Sequence, residues 1–383
     1  MQRRTFLTGA GGTALVGLAG CTGGPTEDGD GDSNDTGGDN GTAETTEGGG
    51  QSNESDGGAE GSAEVNVGVV YATGGLGDGS FNDQAQQGIQ RAAEDFDVSY
   101  DESEPSEVSE FSTFQQSYAE SSNPDYDLVS CIGFLQADAL SNTAPQFPDQ
   151  DFMIVDAVVE EDSVGSYVFK EHQGSFLVGQ LAGLLTSQEF SGGGGETNGD
   201  PTVGFVGGVE GGLIGRFEAG YTAGVKHADE SAQVLSSYVG DFNDPAGGKE
   251  AALSMYNSGA DIIYHASGNT GTGVFQAAQE QGRYAIGVDR DQSKTKSSFA
   301  DVILASMVKR VDTAVYTAVE GTVQGEFEGG STTELGLEQD GVEVAYGSEL
   351  GGEISGEIKS EIEATRESII GGEISVPTDP SNV

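Results

Sequence analysis

From Val65 onward, short apolar runs alternate with amphipathic segments of helical length, and this alternation constrains the fold more than any other feature. The runs, many of them rich in Val and Ile, read VNVGVVYA, DLVSCIGF, DFMIVDAV, TVGFVGG, DIIYHAS and YAIGVD. Between them, segments such as NDQAQQGIQRAAEDF and RFEAGYTAGVKHA carry apolar residues at helical spacing. Strands that alternate with helices predict an α/β fold with parallel sheets covered on both faces. About 310 residues exceed one such core, so we predict two doubly wound lobes.

The first 21 residues predict an export signal rather than part of the fold. Arg3 and Arg4 precede Phe6 and Leu7 as in twin-arginine signals, and the following apolar stretch ends in LAGC. That ending resembles a lipobox, in which the signal is cleaved before Cys21 and the thiol is lipidated. The alternative is a plain N-terminal membrane helix with an incidental cysteine. The apolar run is too short to span a bilayer comfortably, which favours the lipid anchor.

Residues 22–62 predict a disordered tether. They consist mostly of Gly, Asp, Glu, Ser, Thr and Asn, without a single lysine or arginine, so they cannot bury enough apolar surface to offset the entropy of ordering. Three glycosylation sequons begin at Asn34, Asn40 and Asn53. We therefore expect a lipid-anchored stalk that carries a globular body outside the cell.

The charge of the chain excludes whole classes of partner. The 383 residues include 64 acidic and 15 basic side chains, a formal net charge of −49. Phosphates would be repelled by this field, which argues against nucleic acid and anionic membrane surfaces as partners. A surface of this kind is typical of halophiles, in which concentrated salt screens the repulsion. Besides Cys21 the only cysteine is Cys131, within an apolar run, so no disulfide or cysteine metal site is expected.

Ligands of open parallel sheets bind beyond the carboxyl ends of the strands, so the loops that follow the apolar runs are the candidate site. Two of these loops present an aromatic residue beside a helix start, Phe81 in GGLGDGSFND and Phe217 in GGLIGRFEAG. Others carry Asp138, Asp289 and Asp291. Two rings suit a flat base, and carboxylates suit vicinal hydroxyl groups, so together they predict a cleft for a small ligand with both features.

Each of these residues also has a purely structural interpretation. Phe81 and Phe217 could be hydrophobic staples at helix N-termini, and Asp289 could cap a turn. The three histidines, His172, His227 and His265, have no partners at metal-ligand spacing. We find no G-x-S-x-G or H-E-x-x-H motif, and with so many carboxylates no acid–base pair can be nominated. We therefore predict no catalytic residue, no metal and no cofactor, and a protein that is not an enzyme.

Several motifs, in a consistent order, resemble the basic membrane protein family, which comprises substrate-binding lipoproteins of ABC importers and includes purine nucleoside receptors. They are GDGSFND, GRFEAGYTAGVK, YVGDFNDPAGGKEAALSMYNSGADIIYHASGNTGTGVFQAA, YAIGVDRDQ and SMVKRVDTAVY, and the resemblance spans about residues 65–370. It implies a type I periplasmic-binding-protein fold, two lobes joined by three crossover strands. By analogy, lobe 1 comprises residues 63–168 and about 305–325, lobe 2 comprises 169–304 and about 326–370, and 371–383 form a flexible tail.

The resemblance also implies roles for individual residues. In nucleoside-binding members the base lies between two phenylalanines, one from each lobe, which correspond here to Phe81 and Phe217. Asn82 corresponds to a polar contact with the base. The ribose contacts correspond to Gly268 in HASGN and Asp289 in GVDRD, and Asp138 in FLQAD is a weaker match.

Two departures from the family pattern bear on specificity. Many members place an aspartate before the first glycine pair, where this chain has Ala72 and Thr73, and if that aspartate reads the base edge, purine specificity is in question. Many members also have a proline before the second phenylalanine, where this chain has GGLIGRF. A loop without that proline can be more mobile.

The leading functional prediction is an extracellular, lipid-anchored protein that captures a nucleoside, with a purine favoured, and delivers it to an ABC permease and its ATPase. We expect it to act as a monomer at the outer face of the membrane. The alternatives are the same fold with a sugar or another small polar metabolite as ligand, and a sensory input protein. A surface nucleoside hydrolase would need an aspartate cluster for a metal, and GVDRDQ alone does not supply one.

Overall fold

The structure, a computed structural model, describes residues 64–383. The predictions for the export signal, for lipidation of Cys21 and for the stalk at 22–62 lie outside these residues. The strands are β1 Val65–Val70, β2 Val98–Ser103, β3 Leu128–Cys131, β4 Asp151–Val155, β5 Val164–Phe169, β6 Ser191–Gly192, β7 Gly195–Glu196, β8 Thr202–Gly207, β9 Gln233–Tyr238, β10 Ile262–Ala266, β11 Tyr284–Asp289, β12 Ile303–Lys309, β13 Thr332–Leu335 and β14 Val342–Tyr346. The helices are α1 Phe81–Asp95, α2 Phe111–Ala119, α3 Ala137–Thr143, α4 Glu171–Thr186, α5 Gly212–Ala228, α6 Pro245–Asn257, α7 Gly271–Gln281, α8 Gln292–Thr295, α9 Val311–Gln324 and α10 Gly356–Ile370.

Two six-stranded sheets with the same strand order form the framework. The first sheet is ordered β13-β5-β4-β3-β1-β2 and the second β14-β12-β11-β10-β8-β9. Neighbouring strands are parallel in both sheets, except that β14 pairs antiparallel with β12. Each strand from β1 to β5 therefore has a counterpart from β8 to β12 in the other lobe. The predicted fold class, two doubly wound lobes, is confirmed.

Burial explains why the central strands were predicted from the sequence and the edge strands β2 and β9 were not. The central strands are buried on both faces and consist of apolar runs, as parallel strands covered by helices must. The edge strands β2 and β9 have the sequences VSYDES and QVLSSY and are partly exposed. Together with β5 and β12 they lie outside the apolar runs that predicted the sheets.

Close contact between α4 and α5 fixes the position of the second lobe's functional helix. α4 is buried around most of its circumference, and glycines allow the two backbones to touch. A Cβ atom at Gly179 would lie 2.2 Å from the carbonyl oxygen of Tyr221, and one at Gly224 would lie 2.0 Å from that of Phe176. Such distances are impossible for any larger residue, so the sequence of small residues sets the separation of the helices.

The chain passes between the two sheets three times, from β5 to α4, from β12 to α9 and from β13 to β14. We expected residues 305–325 in the first lobe and 326–370 in the second. β12 belongs to the second sheet, α9 packs on α1 of the first lobe, and β13 pairs with β5 of the first sheet.

Residues 371–383, for which we predicted a flexible tail, end in a short 3-10 helix, Pro380–Asn382, that packs on α5.

Candidate functional site

A cavity of about 70 Å³ lies between the lobes, at the carboxyl ends of the parallel strands. Five of the six predicted ligand-binding residues line it, namely Phe81, Asn82, Phe217, Gly268 and Asp289. The sixth, Asp138, is exposed and lines a separate groove on the surface of the first lobe. Asn82, Phe217 and Asp289 are at most 5% exposed, so the walls must move apart before a ligand can contact them.

Two aspartates build the loop that presents Phe81. The carboxylate of Asp78 accepts hydrogen bonds from the backbone N–H groups of Ser80 at 2.8 Å and Asn82 at 2.9 Å. The carboxylate of Asp83 accepts from the N–H groups of Gly77 at 2.7 Å and Gly79 at 2.8 Å. Both glycines have positive φ values, 83° and 64°, which glycine adopts at little cost. Phe81 begins α1 directly after this loop and lines the cavity.

The side-chain amide of Asn82 makes two hydrogen bonds within the same loop. Its Oδ1 accepts from the N–H of Ala72 at 3.0 Å, and its Nδ2 donates to the carbonyl oxygen of Gly75 at 3.0 Å. Asn82 is buried and lines the cavity. In this arrangement its amide holds the loop in place.

A charged group lies at the base of the cavity. Asp156 directly follows β4 and Asp289 ends β11, two strands in equivalent positions of their sheets. Both aspartates have positive φ values, 69° and 63°, a conformation that few residues other than glycine adopt. Lys309 at the end of β12 places its Nζ 2.6 Å from Asp156 Oδ2 and 4.0 Å from Asp289 Oδ1. The hydroxyl of Ser80, from the opposite lobe, donates to Asp289 Oδ2 at 2.6 Å.

The electrostatics of this group follow from burial. Burial raises the pKa of Asp289, and the nearby Lys309 ammonium opposes the increase. Burial alone would lower the pKa of Lys309, but the attraction of Asp156, Asp289 and Glu171 outweighs it and raises that pKa. Lys309 therefore stays charged. Asp156 Oδ1 has no hydrogen-bond partner among the described residues and remains available as an acceptor.

The ammonium of Lys309 also lies over the aromatic rings. Its Nζ is 4.7 Å from the ring centroid of Phe81, 5.4 Å from that of Phe217 and 5.5 Å from that of Phe169. These are distances at which a cation is attracted to a ring face. The two predicted rings, one from each lobe, thus share a single cationic neighbour at the centre of the site.

The site can accept a ligand with a flat part and several hydroxyl groups. The rings of Phe81 and Phe217 offer apolar faces, Asp156 and Asp289 offer carboxylate oxygens, and Lys309 offers N–H donors. Ala72 lines the cavity where many members of the resembled family have aspartate, so the wall there is apolar. Among residues 64–383, no group of three or more His, Cys, Asp or Glu side chains could hold a metal ion.

Sequence reasoning did not identify Asp156 or Lys309. Asp156 follows the run DFMIV just as Asp289 follows YAIGV, so the same strand-end rule applied to every apolar run would have found it. Lys309 gave no such signal, because β12 was not among the predicted strands and a lysine in an apolar segment argues against burial.

Within the part of the chain that the structure describes, no helix combines the length and the apolar character needed to span a membrane.

Comparison with known proteins identifies the relatives of the chain. Residues 65–380 match the family described as "ABC transporter substrate-binding protein PnrA-like". A protein of Listeria innocua named "CD4+ T-cell-stimulating antigen" is 37% identical over 335 residues, covering 83% of this chain and 90% of that protein. The "ABC transporter nucleoside-binding protein BmpA" of Lactococcus lactis is 30% identical over 334 residues, covering 82% of this chain and 90% of that protein.

A solved structure agrees with these relatives. The solute-binding protein of an ABC transporter system from Aeropyrum pernix superposes with a TM-score of 0.73 at 29% identity, covering 82% of this chain and 94% of that one. The superposition shows that this solute-binding protein shares the fold described above.

Proposed function

The chain belongs to the PnrA-like family of ABC transporter substrate-binding proteins, and we propose that it captures a nucleoside, with a purine favoured, for delivery to an ABC importer. The single observation that carries the proposal is that Phe81 and Phe217, from opposite lobes, line one cavity. A base between the rings would gain about 0.5–1.5 kcal/mol from each face beyond the burial of apolar area. The printed name of the Lactococcus lactis relative, a nucleoside-binding protein, supports the same ligand class.

The charged group at the base of the cavity would recognise the ribose. Hydroxyl groups of the sugar would donate to Asp289 and to the free Oδ1 of Asp156, and Lys309 would donate to a hydroxyl oxygen. Gly268, with a φ of 55°, would let the backbone approach the sugar. A ligand without these hydroxyls would leave buried polar groups unpaired, which makes the polar contacts more selective than the rings.

Closure of the two lobes over the ligand would complete the mechanism. A ligand that contacts both lobes stabilises the closed form, and this form would dock on the permease and its ATPase. We propose further that the protein is not an enzyme, and that it acts as a monomer. It would be held at the outer membrane face by a lipid on Cys21 after twin-arginine export.

A second candidate ligand is a sugar or another small polyol. Ala72 supplies no carboxylate to read the edge of a base, and both oxygens of Asp78, which also lines the cavity, already accept backbone N–H groups. Asp156, Asp289 and Lys309 gather the other charged groups at one end of the cavity. A polyol would use that end alone.

Calorimetry in molar KCl separates these candidates. The full chain is titrated with adenosine, guanosine, inosine, cytidine, uridine and ribose. We expect tight binding of purine nucleosides and at least a tenfold loss of affinity in Phe81→Ala and in Phe217→Ala, because each removes one stacking face and its buried area. The control is Phe299→Ala, whose ring is half-buried like that of Phe81 but does not line the cavity. Binding of ribose alone, unchanged in both phenylalanine variants, would contradict the nucleoside proposal and favour the polyol.

A further inference from the structure

A second pair of aromatic rings meets across the cleft. Phe134 follows β3 of the first lobe and Phe242 follows β9 of the second. Their rings are in edge-to-face contact, with centroids 6.2 Å apart and planes at 82°. Both rings line the same cavity as Phe81 and Phe217. This is a direct contact between the lobes, made by residues for which neither sequence nor comparison gives a role.

The second lobe holds Phe242 in a fixed position. Its carbonyl oxygen accepts from the N–H of Thr270 at 3.1 Å, and the Thr270 hydroxyl donates to the carbonyl oxygen of Asp241 at 2.8 Å and accepts from the N–H of Asp244 at 2.8 Å. The Phe242 ring lies on Gly208, where a Cβ atom would come within 2.4 Å of it. Phe242 is therefore the stationary half of the pair.

Phe134 has space on its other side. Phe134 and Leu135 line both the cavity and the surface groove of about 670 Å³ between α2 and α3. These two residues are the wall between the cavity and the groove. The backbone of this wall is fixed, since the Gln136 amide donates to the carbonyl oxygens of Val70 at 2.7 Å and Ile132 at 3.0 Å. Only the side chain of Phe134 is left to move, and the groove has room for a phenyl ring.

We propose that Phe134 and Phe242 form a gate over the ligand-binding cleft, which opens when the Phe134 ring rotates from Phe242 into the groove. Asn82, Ser267 and Lys309, which line the cavity, are at most 2% exposed, so a ligand reaches them only after such an opening. Because the gate rings meet each other, their loss changes the rates of exchange more than the choice of ligand. The identity of the ligand that passes this gate rests on the proposed function.

The gate can be tested without any ligand. Ser267 lines the cavity and is 1% exposed, so in Ser267→Cys the thiol reacts with a soluble thiol reagent only when the cavity opens. The rate of labelling at residue 267 is followed in the full chain by peptide mass spectrometry. We expect Phe134→Ala and Phe242→Ala to raise this rate about three- to tenfold, as the loss of one aromatic pair predicts. Phe299→Ala should leave it unchanged.

The native Cys131 supplies an internal control. It is fully buried in β3, so its labelling reports general unfolding rather than opening of the gate. Faster labelling at 267 with Cys131 still protected supports the gate. Unchanged labelling at 267 in both variants overturns it. So does equal acceleration at residues 267 and 131.

Stopped-flow binding of adenosine then separates the gate from the proposed function. We expect dissociation about three- to tenfold faster in Phe134→Ala and Phe242→Ala, with the order of preference among nucleosides retained. If wild type binds no nucleoside but labelling at 267 accelerates in the variants, the gate stands and the proposed ligand is wrong. If nucleosides bind and labelling is unchanged, the gate is wrong and the proposed function stands.

Discussion

At the scale of single residues, Glu171 is a buried carboxyl group whose pKa makes stability depend on pH. It is 0% exposed, and neither carboxylate oxygen has a hydrogen-bond partner among the described residues. The groups that face it are Lys309, Asp156 and Arg216, whose Nη1 is 3.8 Å from Glu171 Oε2. Burial raises the pKa of Glu171 to about 8, and Lys309 opposes the increase. A pKa in this range favours the protonated form of Glu171 at neutral pH.

This proton makes the free energy of unfolding depend on pH. The pKa of Glu171 is about 8 when folded, against a reference value of 4.5, so its contribution is full below 4.5 and is lost as pH rises toward 8. The loss is at most about 1.4 kcal/mol for each pH unit in that window. We expect Glu171→Gln, which cannot ionise, to gain stability relative to wild type between pH 5 and pH 8. Tm is measured at each pH.

The control for this prediction is Glu250→Gln, since Glu250 is exposed on α6. That variant should follow the wild-type profile. A constant difference in Tm between Glu171→Gln and wild type across the whole range would show that Glu171 is already ionised in the folded protein.

Some residues of the site could be predicted from the sequence, and some of its contacts could not. Phe81, Phe217 and Asp289 were identified because they follow recognisable strands and belong to recognisable motifs, and all three line the cavity. Lys309 bonds Asp156 across 153 positions in the chain, and no local pattern encodes a pairing over that separation. The two hydrogen bonds that the Asn82 amide makes within its own loop likewise depend on three-dimensional geometry.

At the scale of elements, the interface of α4 and α5 couples stability to the site. A Cβ atom at Gly220 would lie 2.1 Å from the carbonyl oxygen of His172, so Gly220→Ala must push α5 away from α4. Phe217 lies one turn earlier on α5 and would move with it. We expect a loss of about 1–3 kcal/mol in the free energy of unfolding, measured by urea titration, and weaker nucleoside binding.

Gly356→Ala is the matched control, because Gly356 begins α10 and nothing lies within 4 Å of the position of its Cβ. It should leave stability and binding nearly unchanged. A Gly220→Ala protein as stable as this control would mean that the helices can separate without cost.

Some secondary-structure elements are easier to predict from the sequence than others. The buried strands β1, β3, β8 and β10 are mostly apolar and were predicted, since burial on both faces leaves few polar positions. The edge strands β2 and β9 have polar residues where they meet water, and the pattern no longer separates them from loops. Strand order and the exchange of β13 into the first sheet depend on contacts between distant segments, which periodicity does not record.

At the scale of the whole molecule, repulsion among the acidic side chains destabilises the folded state. The chain carries a net charge of −49, and folding brings its carboxylates closer together than they are in the extended chain. Salt at 0.1 M screens charges beyond about 10 Å, and at 1 M beyond about 3 Å, so concentrated salt removes most of this repulsion. Of the 15 basic residues, Lys309, Arg310 and Arg91 pair with buried carboxylates, so they do not offset the repulsion among the exposed ones.

We therefore expect the protein to gain stability with salt. Tm should rise by about 5–10 °C between 0.1 M and 2 M KCl, a few kcal/mol at the scale of a domain this large. Most of the gain should come below 1 M, where screening changes most, and sorbitol at matched osmolarity should not reproduce that early part. A Tm that stays constant or falls with KCl would mean that the carboxylates lie too far apart to repel one another. The interpretation of the acidic surface as an adaptation to brine would then be wrong.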